Sequence, residues 1–128
     1  MLCPQAAGVR IGLIFNPTAQ GDKARFLQQQ LDQIRDECVL MPTEGPGHAE
    51  VLAEKAVADG CEVVVAAGGD GTIQEVSNGL VRHPEGLGKT VLALLPLGTV
   101  NVLARELCIP LDFDSAWRVI QQLSLIHI

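Results

Sequence analysis

Short apolar runs alternate along this chain with longer segments in which apolar residues recur every three or four positions. The apolar runs cover residues 9–15, 39–41, 63–67 and 91–95. Apolar runs bounded by turn residues predict buried β-strands. The run at 63–67 is β-branched at its start and unbroken by polar residues, which is typical of a central parallel strand covered on both faces.

Helical periodicity fills the segments between these runs. The apolar residues at helical spacing are Ala24, Leu27, Leu31 and Ile34 within residues 22–37; Ala49, Leu52, Ala53, Ala56 and Val57 after Pro46; Ile73, Val76 and Leu80; and Ala116, Trp117 and Ile120. Pro46 is expected to open the second helix and Gly60 to end it. A further helix is expected to follow Pro96 and to run through Leu103 and Leu107.

The alternation of strands and helices predicts an α/β fold, a Rossmann-like three-layer domain with right-handed crossovers and a mainly parallel sheet. Ligands bind such sheets at the carboxyl ends of the strands. Three turns with unusual residues follow strands, at residues 16–21, 68–72 and 98–101. Because parallel strands end at the same edge of a sheet, we expect the three turns to converge on one binding site.

The turn Gly68-Gly69-Asp70-Gly71-Thr72 has the composition of a phosphate-binding loop. Glycines let the backbone approach a ligand closely, and the following helix offers free N–H groups to a phosphate. Asp70 is suited to hold Mg²⁺, directly or through water. The alternative is a tight connection in which Thr72 and Glu75 form a capping box. That alternative explains Thr72 and Glu75 better than it explains Asp70, so we favour a binding role for the turn.

Several classes of function are excluded by motif and composition. Residues 87–90 imitate the end of a P-loop but precede a strand, and the GxGxxG fingerprint of dinucleotide dehydrogenases is missing. A formal net charge of -6 with only three Phe, one Trp and no Tyr argues against nucleic-acid binding. His48, His83 and His127 lack catalytic partners and are expected to be lone surface residues.

The cysteines and the hydropathy indicate a cytoplasmic protein. The four cysteines, Cys3, Cys38, Cys61 and Cys108, form no CxxC pair, so a zinc site is not expected. Each lies in apolar surroundings, which suits a core residue in a reducing compartment. No secretory signal and no transmembrane segment are expected, because the apolar runs are far shorter than a membrane span.

Three stretches make the chain resemble the diacylglycerol kinase, sphingosine kinase and bacterial lipid kinase family. They are Asn16-Pro17-Thr18 with Gly21; Ala67-Gly68-Gly69-Asp70-Gly71-Thr72-Ile73-Gln74-Glu75-Val76 with Asn78-Gly79-Leu80; and Pro96-Leu97-Gly98-Thr99 with Asn101, Ala104 and Arg105. The likeness runs from about residue 11 to residue 110 in the family's order. Gly-Gly-Asp-Gly-Thr alone is shared with NAD kinases, whereas the stretch from Pro96 makes the lipid-kinase resemblance more specific.

The resemblance implies an ATP-dependent kinase that phosphorylates a lipid hydroxyl such as that of diacylglycerol. The nucleotide contacts that it assigns are Asn16, Thr43, Gly69, Asp70, Gly71, Thr72, Glu75 and Thr99, with Asp70 organising Mg²⁺ and ATP. Thr43 is equally well explained as a simple turn residue. The general base and the lipid site are expected in a second, β-rich domain that meets the substrate at the membrane surface. A homodimer is left open.

The chain departs from the family pattern in places, and two alternatives to a lipid kinase stay open. The family commonly has Gly-Thr-Gly-Asn-Asp, whereas this chain has Gly98-Thr99-Val100-Asn101-Val102 and also has Cys108 where glycine is usual. One alternative is an NAD kinase, which the stretch from Pro96 to Asn101 disfavours. The other is a nucleotide-binding module without catalysis, which Asp70 and Thr72 disfavour.

The last six residues, Leu123-Ser124-Leu125-Ile126-His127-Ile128, fit the preceding helical pattern poorly. They equal the translation of CTG-TCT-CTT-ATA-CAC-ATC, which matches a transposase adapter end used in DNA library preparation. We therefore expect a nucleotide-binding catalytic domain over residues 1–122 and a non-native tail over residues 123–128. The alternative is a natural apolar strand that leads into the next domain.

Sequencing of the source genome without that library chemistry tests the origin of this tail. We expect other codons after Gln122, continuing into a second domain. A genome that encodes Leu123 to Ile128 followed by a stop codon would contradict the expectation and would favour a natural single-domain nucleotide binder.

Overall fold

Strands and helices alternate in the structure as the sequence pattern predicts. The structure is a computed structural model and describes residues 10–17, 22–83, 90–96 and 115–120. The elements in chain order are β1 (Ile11–Phe15), α1 (Asp22–Ile34), β2 (Val39–Pro42), α2 (His48–Ala58), β3 (Val63–Gly68), α3 (Asp70–Arg82) and β4 (Val91–Pro96), and residues 115–120 are also helical. The expected turn at residues 98–101, the helix through Leu103 and Leu107, and the tail lie outside the described residues.

The four strands form one sheet in the order β2-β1-β3-β4, with every neighbouring pair parallel. Their ends are also in register. Phe15 is the partner of both Pro42 and Ala67, and Gly68 is the partner of Pro96. The carboxyl ends of all four strands therefore lie along one edge, which confirms the predicted parallel sheet.

Alternate side chains of β3 enter two separate apolar layers. Val63, Val65 and Ala67 pack in a cluster with residues of α1 and of the helical segment 115–120. Val64 and Ala66 pack in a second cluster with residues of α2 and α3. Every residue from Val63 to Ala67 is at most 1% exposed, as expected for a central strand, and helices on both faces give the predicted three layers.

The helix boundaries differ from the sequence pattern in two places. The first helix ends at Ile34, not at Glu37, because the chain turns there and the Glu37 amide bonds to the Ile34 carbonyl at 2.9 Å. The second begins at His48, two residues after Pro46. It ends as predicted, since Gly60 adopts the left-handed conformation at φ +90°.

Helices α2 and α3 approach so closely at Gly79 that no side chain fits there. A Cβ atom on Gly79 would lie 2.3 Å from the Glu50 carbonyl oxygen and 2.7 Å from the Ala53 Cβ. An ion pair between Arg82 and Glu50, at 3.1 Å, spans the same interface. The glycine thus sets the distance between the two helices.

Gly79→Ala is expected to lower the free energy of unfolding by about 1–3 kcal/mol, the usual cost of overpacking. The methyl group meets backbone of α2, so no side-chain rotation relieves the contact. Urea-induced unfolding measures the loss. Gly71→Ala is the matched control: its Cβ would meet nothing within 4 Å, so stability should stay the same or rise by up to about 1 kcal/mol. Equal effects of the two changes would contradict the close approach.

Candidate functional site

A cleft of about 380 Å³ opens at the edge where the strands end, between the first turns of α2 and α3. The lining residues are Asn16, Thr43, Gly45, Pro46, Ala49, Gly71, Thr72 and Glu75. Clefts of about 300–1,000 Å³ are typical of small-molecule sites. The carboxyl edge of a parallel sheet is where such sites are expected.

The first turn of α3 forms one wall of the cleft. Gly69 is its N-cap, in an extended conformation, and no side chain caps it. The first helical bond runs from the Ile73 amide to the Gly69 carbonyl at 3.1 Å, so the preceding amides have no acceptor within the helix. Gly71 is exposed, with open space where a Cβ would be. This wall can therefore receive an anionic group close to the backbone.

The capping-box alternative for Thr72 and Glu75 is wrong. The helix begins at Asp70, two residues before Thr72, so Thr72 does not occupy the N-cap position. The Glu75 carboxylate instead accepts a hydrogen bond from the amide of Gly47, at 3.1 Å. Both side chains line the cleft, and capping of their own helix does not explain them.

The loop from Thr43 to Gly47 forms the opposite wall. Thr43 is only 8% exposed, and its amide donates to the Phe15 carbonyl at 2.9 Å. The Glu44 amide donates to Nδ1 of His48 at 2.9 Å. His48 is half-buried and holds this loop, so the expectation of a lone surface histidine is wrong for that residue. The sequence signal for this hydrogen bond was the four-residue spacing between Glu44 and His48.

Five of the predicted nucleotide contacts lie together in the cleft: Asn16, Thr43, Gly71, Thr72 and Glu75. Gly69 lies at the same edge as the N-cap of α3. Asp70 is the first residue of α3, but its side chain and Thr99 are outside the described part of the structure. The sequence motifs do not point to Gly45, Pro46 and Ala49, which also line the site and follow β2 at the predicted edge. Binding by each of these residues stays a prediction.

The described residues contain no group of three or more His, Cys, Asp or Glu side chains arranged to hold a metal. A magnesium ion that arrives with a nucleotide does not need one, because phosphates, water and one or two carboxylates hold it. The Glu75 carboxylate in the cleft is engaged by Gly47. Asp70, which starts the adjoining helix, stays the predicted magnesium ligand.

The fold and the cleft define a ligand-binding domain of the parallel α/β class. The family model of the diacylglycerol kinase catalytic domain matches residues 10–128. The chain therefore belongs to the diacylglycerol kinase catalytic domain family, a family of lipid kinases, and the resemblance inferred from its motifs is confirmed.

Similar proteins agree with this assignment. Diacylglycerol kinases from Staphylococcus aureus strains bovine RF122 / ET3-1 and MRSA252 are each 37% identical over 117 residues, covering 87% of this chain and 36% of the relative. The chain thus spans about a third of the length of the curated relatives it matches. A crystal structure of a diacylglycerol kinase from Bacillus anthracis str. Sterne matches with a TM-score of 0.71 and 29% identity, covering 88% of this chain and 39% of that one. A second crystal structure from this organism gives a TM-score of 0.72.

Across the ranges that the structure describes, none of the helices has the length and apolar character needed to cross a bilayer.

Gly68, at the end of β3, is packed against the threonine of the cleft. A Cβ atom there would lie 2.9 Å from Oγ1 and 3.1 Å from Cβ of Thr72. Gly68→Ala should therefore lower the free energy of unfolding by about 1–3 kcal/mol. Thr72→Ala removes Oγ1, so the added methyl group should cost less in that background. A double-mutant cycle by urea unfolding should give a coupling of at least about 0.5 kcal/mol. Additive effects would show that the turn relaxes away from Thr72.

Proposed function

We propose that the protein is an ATP-dependent lipid kinase and that this chain contributes its nucleotide-binding part. The reaction is transfer of the γ-phosphoryl group of ATP to a lipid hydroxyl, such as that of diacylglycerol. The observation that supports it is the cleft. Five predicted nucleotide contacts line it, and the start of α3, which no side chain caps, forms one of its walls. Membership of the diacylglycerol kinase catalytic domain family supports the choice of a lipid hydroxyl over other acceptors.

The chemistry of the cleft suits the phosphates of ATP. In this proposal the free amides at the start of α3 bind phosphate oxygens, and Gly71 allows close approach because it has no Cβ. Phosphoryl transfer depends mostly on positioning and on stabilisation of charge, which these amides supply. Asp70 would hold Mg²⁺, which would supply positive charge to neutralise the phosphates. In the transfer, the bond from the γ-phosphorus to its bridging oxygen breaks and a bond to the lipid oxygen forms.

The lipid acceptor and the location are parts of the same proposal. The chain spans about a third of its curated relatives, so we assign the lipid site and the base that takes the hydroxyl proton to other parts of the protein. The part of the protein with the lipid site would meet diacylglycerol at the membrane surface. The kinase would be bound peripherally on the cytoplasmic side. Cys38 and Cys61 are buried and not joined in a disulfide, which suits a reducing compartment.

An activity assay with the full-length protein tests the function. Labelled ATP, Mg²⁺ and diacylglycerol in mixed micelles should give labelled phosphatidic acid. Asp70→Ala should lower turnover by at least about a hundredfold, the scale of losing a group that stabilises transferred charge. Its stability should change by no more than about 0.5 kcal/mol, because in this proposal the carboxylate serves the ligand and not the fold.

Asp36→Ala is the matched control, because Asp36 is exposed in the turn before β2, away from the carboxyl edge. It should leave turnover unchanged. Normal turnover in Asp70→Ala would remove the proposed role of that residue. Phosphorylation of NAD in place of lipid would reassign the protein as an NAD kinase, and ATP binding without any turnover would make it a non-catalytic module.

A further inference from the structure

Glu75 has a role that its assignment as a nucleotide contact does not include. We propose that Glu75 is a positioning residue that ties the loop from Thr43 to Gly47 onto α3 and so keeps the cleft shaped for its ligand. The identity of the ligand, ATP, rests on the proposed function. The contact between Glu75 and the loop does not.

The contact joins two distant parts of the chain. Oε1 of Glu75 accepts a hydrogen bond from the Gly47 amide at 3.1 Å, across 28 positions of sequence. Gly47 is the N-cap of α2, with φ +84° and no side-chain cap of its own. An amide at this position has no acceptor within its helix. The carboxylate from α3 supplies the missing acceptor.

The bond to Glu75 holds the Gly47 end of the loop from Thr43 to Gly47. At the other end, the Thr43 amide is bound to the Phe15 carbonyl of β1. Between them, the Glu44 amide bonds to His48 and the His48 amide bonds to the Gly45 carbonyl at 3.2 Å. Those two bonds stay within the loop and the start of α2. The bond from Gly47 to Glu75, by contrast, joins this wall of the cleft to the other.

Glu75 also brings negative charge to the start of α2. The start of a helix carries a partial positive charge and is stabilised by a nearby carboxylate. Glu75 provides that carboxylate to α2 through its bond with the Gly47 amide. A phosphate is therefore disfavoured beside the Glu75 carboxylate. In this proposal Glu75 acts through the loop, since its Oε1 atom accepts the hydrogen bond of the Gly47 amide.

Three variants of the full-length protein test the proposal. Glu75→Ala removes the acceptor, and Glu75→Gln keeps an oxygen that can accept the same bond without the charge. Glu50→Ala is the matched control, because it breaks the ion pair with Arg82 that also joins α2 to α3 but lies outside the cleft lining. Two quantities are measured in each: hydrogen exchange of the Gly47 amide without ligand, and the kinetic constants for ATP.

Glu75→Ala should speed exchange of the Gly47 amide by at least about tenfold, since the amide loses its acceptor. It should raise KM for ATP about five- to tenfold while kcat changes less than about twofold, the pattern of lost ground-state binding. Glu75→Gln should retain protection of Gly47 and keep KM within about threefold of wild type. Glu50→Ala should leave both measurements near wild type.

Unchanged exchange in Glu75→Ala would overturn the contact, and faster exchange without a change in KM would overturn its role in positioning. Equal losses in Glu75→Ala and Glu75→Gln, with a fall in kcat, would assign Glu75 to the chemistry instead. If the wild-type protein neither binds nor uses ATP, the proposed function fails, whereas exchange of Gly47 still decides whether Glu75 holds the loop.

Discussion

The parallel pairing of β3 with β1 and β4 is the constraint on which the rest of this domain depends. All five residues from Val63 to Ala67 are buried, so a shift by one residue would exchange the side chains that enter each apolar layer. The pairing also fixes where strands end. Because Phe15, Ala67 and Leu95 occupy corresponding positions, the chain segments that follow must leave the sheet at the same edge.

The contact between α2 and α3 turns this edge into a cleft. Gly79 lets the helices approach to backbone distance at Glu50, while Glu75 reaches Gly47 one turn nearer the cleft. Helices α2 and α3 thus run in the same direction, as expected for successive helices packed on the same face of a parallel sheet. The first turns of both helices therefore lie side by side, and the space between them is the cleft. A change in helix spacing at Gly79 would consequently reach the ligand site.

The two helix starts differ in backbone and in surroundings, since the N-cap Gly47 is left-handed and the N-cap Gly69 is extended. The start of α2 is bound by the Glu75 carboxylate, and the start of α3 follows glycines that bring no side-chain cap. An anionic group of a ligand is thus expected beside the glycines at the start of α3 and not beside the Glu75 carboxylate. Pro46 and Ala49 line the opposite wall. These surroundings suit the nucleotide that we propose as the ligand.

The sequence by itself determined the order of elements, the parallel sheet and the edge that carries the site, because these follow from the period of apolar residues and from chain connectivity. All five apolar positions predicted for α2 are its buried residues. The family also followed from local motifs, since Gly68 to Thr72 and the stretch from Pro96 keep their residue types next to one another.

Only the tertiary structure decided which side chain meets which across the cleft. The spacing of Thr72 and Glu75 fitted a cap on their own helix, but Glu75 bonds to Gly47, 28 residues earlier. No local pattern encodes the contact between Glu75 and Gly47, because it depends on how closely α2 and α3 pack. That distance is set by the absence of a side chain at Gly79, opposite the backbone of Glu50.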